Sequence, residues 1–254
     1  MAGPAQSELF QYLLRRGDDA LILAQRHAEW SSKAPTLEVD LSLSNIGLDL
    51  LGQAKSFLDY AGKVEGKGRD GDTLAFRRDA HDFTNCLLVE QPNGDFGQTM
   101  ARQFLFSAWQ KLLFAQLTGS NDEHVAAISA KAIKEVSYHE SLSAEWLVRL
   151  GDGTEESHAR MQQGLGYMWR FVDELFQIDS AEAVLAEAKT IPDPGTLREA
   201  WDHRVNAVLA EATLERPAET RAIAGGRQGR HTEHLGPMLA EMQFLPRAYP
   251  DAKW

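Results

Sequence analysis

His231 and His234 stand three residues apart with Glu233 between them in "RHTEHLGPMLAEMQ" (Arg230 to Gln243), two nitrogen donors and a carboxylate of the kind that bind metals. Gly236 and Pro237 follow at once, and proline is favoured in the first turn of a helix, so the helix is expected to start near Gly236. Both histidines then lie in the approach loop, where a spacing of three no longer puts side chains on one face. Even in a helix Glu233 would point away from both. Loop hydrogen bonding or a contact with a partner protein is the better use for His231, Glu233 and His234. Met238 and Met242 continue the segment as core or as a partner-binding face.

A second candidate set lies in the long helical segments. Two-metal carboxylate sites in helical bundles take a Glu from each of two helices and a Glu-x-x-His pair from each of two others. Residues three apart on a helix point the same way and reach the same metals. In "KEVSYHE", Glu135 and His139 are four apart, and the position three before His139 is taken by Val136. The segment 96–119 contains no glutamate and offers the amides Gln98 and Gln103; 36–62 contains no histidine. Glu29 is the one single carboxylate in a suitable place. Too few ligands remain for two metals, so no metal, cofactor or catalytic residue is assigned. The alternative is an autonomous metal-dependent oxidase using Glu29, Glu135 and His139. Asn45, Asp49 and Gln53 form an i, i+4, i+8 polar row, which is either solvated or a buried hydrogen-bond network with Glu135 and His139 where metals would otherwise sit.

The elements that carry these residues are read from punctuation. "GKVEGKGRDGD", "QPNGD", "GSND", "GDG", "PDPG" and "GGRQG" separate long stretches rich in Ala, Leu, Glu, Gln, Lys and Arg. Helices are expected at about 8–33, 36–62, 73–88, 96–119, 122–150, 155–178, 196–215 and 236–247. "LEVDLSLS", Leu37 to Ser44, alternates like a strand, but it runs unbroken into a helical face and Thr36 can cap a helix there. Gly47 and Gly52 within it predict close approach of another backbone. Asp95 with Gln98, and Thr196 with Glu199, have capping-box spacing. The result is one all-α domain over 1–254, a four-helix bundle with additional C-terminal helices.

Composition narrows the function. The chain has 254 residues, 43% of them hydrophobic, and a formal charge of −11 from 37 acidic and 26 basic residues. That charge argues against nucleic acid and anionic membrane surfaces as partners. One cysteine, Cys86, gives neither an internal disulfide nor a cysteine zinc site, which suits a reducing cytoplasm. No apolar run approaches the about 20 residues that span a bilayer, and no export leader is evident. Lys131 and Lys134 could face the phosphates of a coenzyme A thioester, although lysines on a helix usually form a solvated face.

Several long stretches, "LEVDLSLSNIGLDLLGQAKSFLDYAG", "DTLAFRRD", "LLVEQPNGDF", "AAISAKAIKEVSYH" and "HTEHLGPMLAEMQFL", resemble in order the C subunits of bacterial phenylacetyl-CoA epoxidases, multicomponent monooxygenases of aerobic phenylacetate breakdown. The resemblance runs from about Leu13 to Trp254. It implies a ferritin-like fold and a structural role without a metal site. It also implies a homologous catalytic A subunit that holds a di-iron centre, and a reductase with FAD and an iron–sulfur centre that draws on NADPH. Other epoxidase subunits are further partners, and without its partner the chain is expected either to self-associate into a homo-oligomer or to be poorly behaved.

Overall fold

The computed structural model describes residues 4–218 and 221–252; the elements among them are all helical. In chain order they are α1 (Pro4–Ala28), α2 (Leu37–Glu65), α3 (Gly71–Phe76), α4 (Leu87–Glu90), α5 (Phe96–Leu117), α6 (Glu123–Gly151), α7 (Glu155–Trp169), α8 (Ser180–Glu187), α9 (Arg198–Glu211), α10 (Leu235–Met242) and α11 (Phe244–Ala248). The chain forms two compact units, Met1–Pro92 with Gly225–Trp254, and Asn93–Ala224. Trp254, expected to be exposed at the terminus, lies outside the described residues.

The first unit is built on an antiparallel pair. Gln6 at the start of α1 donates to the Val64 carbonyl at the end of α2 at 2.6 Å, while Gly47 packs on His27 and the Ala24 carbonyl at the other end. Thr36 sets the start of α2: its backbone is extended and its hydroxyl accepts from the Val39 amide at 3.4 Å. "LEVDLSLS" is therefore helix. Val39, Leu43, Ile46, Leu50, Phe57 and Leu58 are buried at helical spacing, and burial of that stripe overrides the local alternation. Gly47 makes the close approach expected of it, whereas Gly52 is exposed and its expected neighbour is absent among the described residues. Gly66 ends α2 in the left-handed region (φ 71°), returning its amide to the Gly62 carbonyl.

The expected helix at 73–88 is two short helices, α3 and α4, separated by a 3-10 turn at Ala80–Asp82. Asp70 caps α3, accepting from the Thr73 amide at 2.8 Å. The expected 236–247 helix is also divided. Pro246 lacks the amide that would bond back to Met242, and the buried Gln243 at the junction donates to the Ala75 and Arg78 carbonyls at 2.9 and 3.0 Å. The start near Gly236 agrees with α10 at Leu235.

In the second unit, α5 and α6 are joined by a short turn and pack along each other, with α7 and α9 against both. Asp95 caps α5 through the Gln98 amide at 2.9 Å, as its spacing predicts. Thr196 does not cap a helix. Asp193 takes that place through the Gly195 amide at 2.8 Å, and a 3-10 turn with Pro194 in its first position precedes α9. Trp201 of α9 is fully buried, donates Nε1 to the Leu105 carbonyl at 3.1 Å, and packs on Trp169 and Phe176 at 5.7 and 5.3 Å between centroids. The expected 155–178 helix stops at Trp169, where the backbone tightens to i, i+3 bonds from Phe171 to Met168 and from Val172 to Trp169.

Candidate functional site

The histidine segment is anchored inward. "GGRQG" lies flush on the 81–85 backbone: a Cβ on Gly226 would overlap the Asn85 carbonyl oxygen, and Gly229 sits at φ 71° against the His81 carbonyl. Gly226→Ala is expected to cost about 2 kcal/mol by overpacking, read as a lowered urea midpoint. Two consecutive aspartates of α1 hold the segments on either side. Asp18 is ion-paired with Arg78 and accepts from the Thr84 amide at 2.8 Å. Asp19 takes both terminal nitrogens of Arg227 at 2.8 and 2.9 Å and the Cys86 amide at 2.8 Å.

His231 then meets Glu90, the last residue of α4. Glu90 is fully buried, and each carboxylate oxygen accepts two hydrogen bonds. Oε1 takes the Thr232 amide at 2.7 Å and its hydroxyl at 2.8 Å; Oε2 takes Asn85 Nδ2 at 2.8 Å and His231 Nδ1 at 2.7 Å. His231 Nε2 lies 2.9 Å from the Phe83 carbonyl, which can only accept. A carboxylate faces one ring nitrogen and a carbonyl the other, an arrangement that favours the doubly protonated, charged ring. Burial opposes that charge, but the Glu90 hydrogen bond and charge, the Phe83 carbonyl and the field of Asp18 outweigh it and raise the His231 pKa above 6.5.

The sign of the resulting pH dependence follows from that direction. A folded-state pKa above the unfolded value means that the stability His231 contributes is present in full below the unfolded pKa and is lost as pH rises through the folded one. Urea midpoints measured upward from pH 6 are expected to fall over that window in the native chain. In His231→Asn this component of the fall is expected to disappear.

The remaining candidates are dispersed. Glu233 is exposed and His234 half-buried, with Glu233 Oε1 and His234 Nε2 3.8 Å apart; Met238 is buried and Met242 half-buried. The row on α2 runs from exposed Asn45 through half-buried Asp49 to buried Gln53. On α6, His139 is fully buried and Glu135 half-buried, with Val136 buried between them. Glu140, which the spacing argument passed over, is the buried carboxylate of that helix; Lys111 at 3.0 Å and Arg204 at 2.6 Å each hold one of its oxygens. Gln103 is buried and Gln98 half-buried. Glu29 lies just beyond α1 in an ion pair with Arg26 at 2.8 Å. Lys131 and Lys134 are exposed. Among the described residues, no group of three or more His, Cys, Asp or Glu converges closely enough to hold a metal ion. The donors do not fit a two-metal centre. No described helix is long and apolar enough to cross a membrane.

One apolar face of α2 is left open. Leu37, Leu41, Leu48 and Leu51 are 70%, 57%, 65% and 47% exposed. Their spacing of four, seven and three follows a heptad seam that Ser44 completes. Single exposed leucines are ordinary, but four in register along one helix form a continuous apolar strip.

The sequence matches the family described as phenylacetic acid catabolic protein over residues 1–254. It is 54% identical over 248 residues to the C subunit of the 1,2-phenylacetyl-CoA epoxidase of Escherichia coli (strain K12), covering 98% of this chain and 100% of that protein. The all-helical, ferritin-like fold class is that of the matched family. End to end, the chain belongs to the phenylacetic acid catabolic protein family.

Proposed function

We propose that the chain is the structural subunit of a cytoplasmic phenylacetyl-CoA epoxidase, and that it pairs with and stabilises a homologous catalytic subunit through the open face of α2. The end-to-end similarity to the C subunit of such an enzyme carries the reading. The leucine seam supports it, because a helix that exposes four in-register leucines is suited to burial against another helix. The partner would hold the di-iron centre, and a flavin and iron–sulfur reductase would supply electrons. In this chain the nearest approach to a ligand set, Glu135 and His139, has the wrong spacing, and Glu140 is already neutralised by two cations.

Co-expression with the catalytic homologue tests the proposal. The two chains are expected to co-purify, with iron tracking the partner and this chain containing none when purified alone. Near-stoichiometric iron in the isolated chain, together with oxygen consumption, would favour the autonomous oxidase using Glu29, Glu135 and His139. Failure to co-purify would remove the subunit reading.

A further inference from the structure

A second surface of the first unit, separate from the leucine seam, is a cleft of 680 Å3 between α3 and the α10–α11 pair. Phe76, Met242, Leu245 and Tyr249 give it apolar walls, and Leu245 and Tyr249 remain about half exposed or more. Three carboxylates, Asp70, Asp72 and Glu241, are among its lining residues with one guanidinium, Arg77. Lys55, whose field reaches Asp70 and Asp72, is engaged by Asp59 at 2.8 Å. The Thr73 hydroxyl and amide hold the Asp70 carboxyl below its usual range, which keeps Asp70 itself anionic at neutral pH.

The walls are held in place by bonds from residues that do not line the cleft. Gln243 ties the α10–α11 junction to the Ala75 and Arg78 carbonyls, and Arg247 ties α11 to the Arg78 carbonyl at 2.8 Å and to Asp79 at 2.9 Å. A cleft fixed in this way loses little freedom when occupied.

We propose that this cleft docks a segment of a partner protein in which aliphatic or aromatic side chains are flanked by lysine or arginine. The volume takes a few large side chains, and the surplus of carboxylates selects a cationic flank. The same surplus repels the phosphates of a coenzyme A thioester, so the cleft is a protein-docking surface and not a substrate site. The inference does not depend on the subunit reading, since the leucine seam is not part of the cleft.

The test uses the full chain and three capped peptides, Lys-Leu-Lys-Phe-Lys, Glu-Leu-Glu-Phe-Glu and Lys-Ser-Lys-Ser-Lys, in calorimetric titrations at low salt. The first is expected to bind at least about tenfold more tightly than the other two. The paired change Asp72→Lys with Glu241→Lys should weaken it about tenfold with an unchanged melting temperature, and Tyr249→Ala should weaken it as well. Asp152→Lys, an exposed acid of the second unit, and Leu48→Glu should leave it unchanged. Equal affinity for the acidic and basic peptides would overturn the proposal, as would equal losses in the Asp72/Glu241 and Asp152 variants. Saturation of the cleft by coenzyme A, or a dimer of this chain that the cleft variants dissociate, would also overturn it.

Discussion

Glu90→Ala is expected to destabilise the protein by about 3–5 kcal/mol, the usual cost of removing one member of a buried ion pair. The carboxylate is fully buried and receives four hydrogen bonds, so its loss leaves the Thr232 amide and hydroxyl, Asn85 Nδ2 and the His231 ring without their acceptor. Glu90→Gln keeps the volume but turns an amide donor toward donors, and is expected to recover only part of the loss. Because Glu90 and His231 act as a pair, Glu90→Ala and His231→Ala together should cost less than the sum of the two. Urea unfolding of the four proteins in this cycle gives the coupling, expected at about 1–3 kcal/mol. Amides of α10 and α11 should exchange faster in Glu90→Ala, since Thr232 and His231 tether the segment that leads into them. A loss within about 0.5 kcal/mol of zero, the range of ordinary surface changes, would mean that the cluster contributes no net stability.

That cluster also marks where sequence reasoning stops. Thr36 and Asp95 announced their helices because a cap acts on an amide three residues on, within reach of any local reading. Glu90 and His231 are 141 positions apart, and no spacing rule connects them. A usable signal was present in α1: Asp18 and Asp19 lie among Leu13, Leu14, Leu21 and Ile22, and two acids inside an apolar stripe require partners. Arg16, one turn away, lies 3.3 Å from Asp19, but the other partners, Arg78 and Arg227, again come from distant segments. The strand-like alternation of "LEVDLSLS" has a local cause. Val39 and Leu43 face the core while Leu37 and Leu41 face outward, so two apolar stripes on one helix superimpose into a period of two. The break inside the expected 236–247 helix and the later start of the 196–215 helix have local causes too, in Pro246 and in Asp193 with Pro194.

The outward stripe gives the other large effect. With the pairing proposed above, Leu41→Glu with Leu48→Glu is expected to weaken association with the proposed catalytic partner at least about a hundredfold, with little change in the stability of the isolated chain. Burying a leucine side chain contributes about 1.5–3 kcal/mol, and a glutamate in its place adds the cost of desolvating a charge. Even half of the lower figure for each leucine, with a modest desolvation cost added, reaches about 3 kcal/mol, and each 1.4 kcal/mol is a factor of ten in Kd. Both leucines are more than half exposed in the chain alone, so their replacement removes no core contact, and surface changes usually stay within about 0.5 kcal/mol. Titration of the purified partner measures the first quantity and thermal unfolding the second. The contrast with Glu90→Ala separates the two roles: that variant should lower the melting temperature before it affects association, while the leucine pair should abolish association in a chain that still folds. Unchanged affinity for the partner in Leu41→Glu/Leu48→Glu would move the interface off α2, because no helix can keep two glutamates in an apolar seam without a large loss of binding.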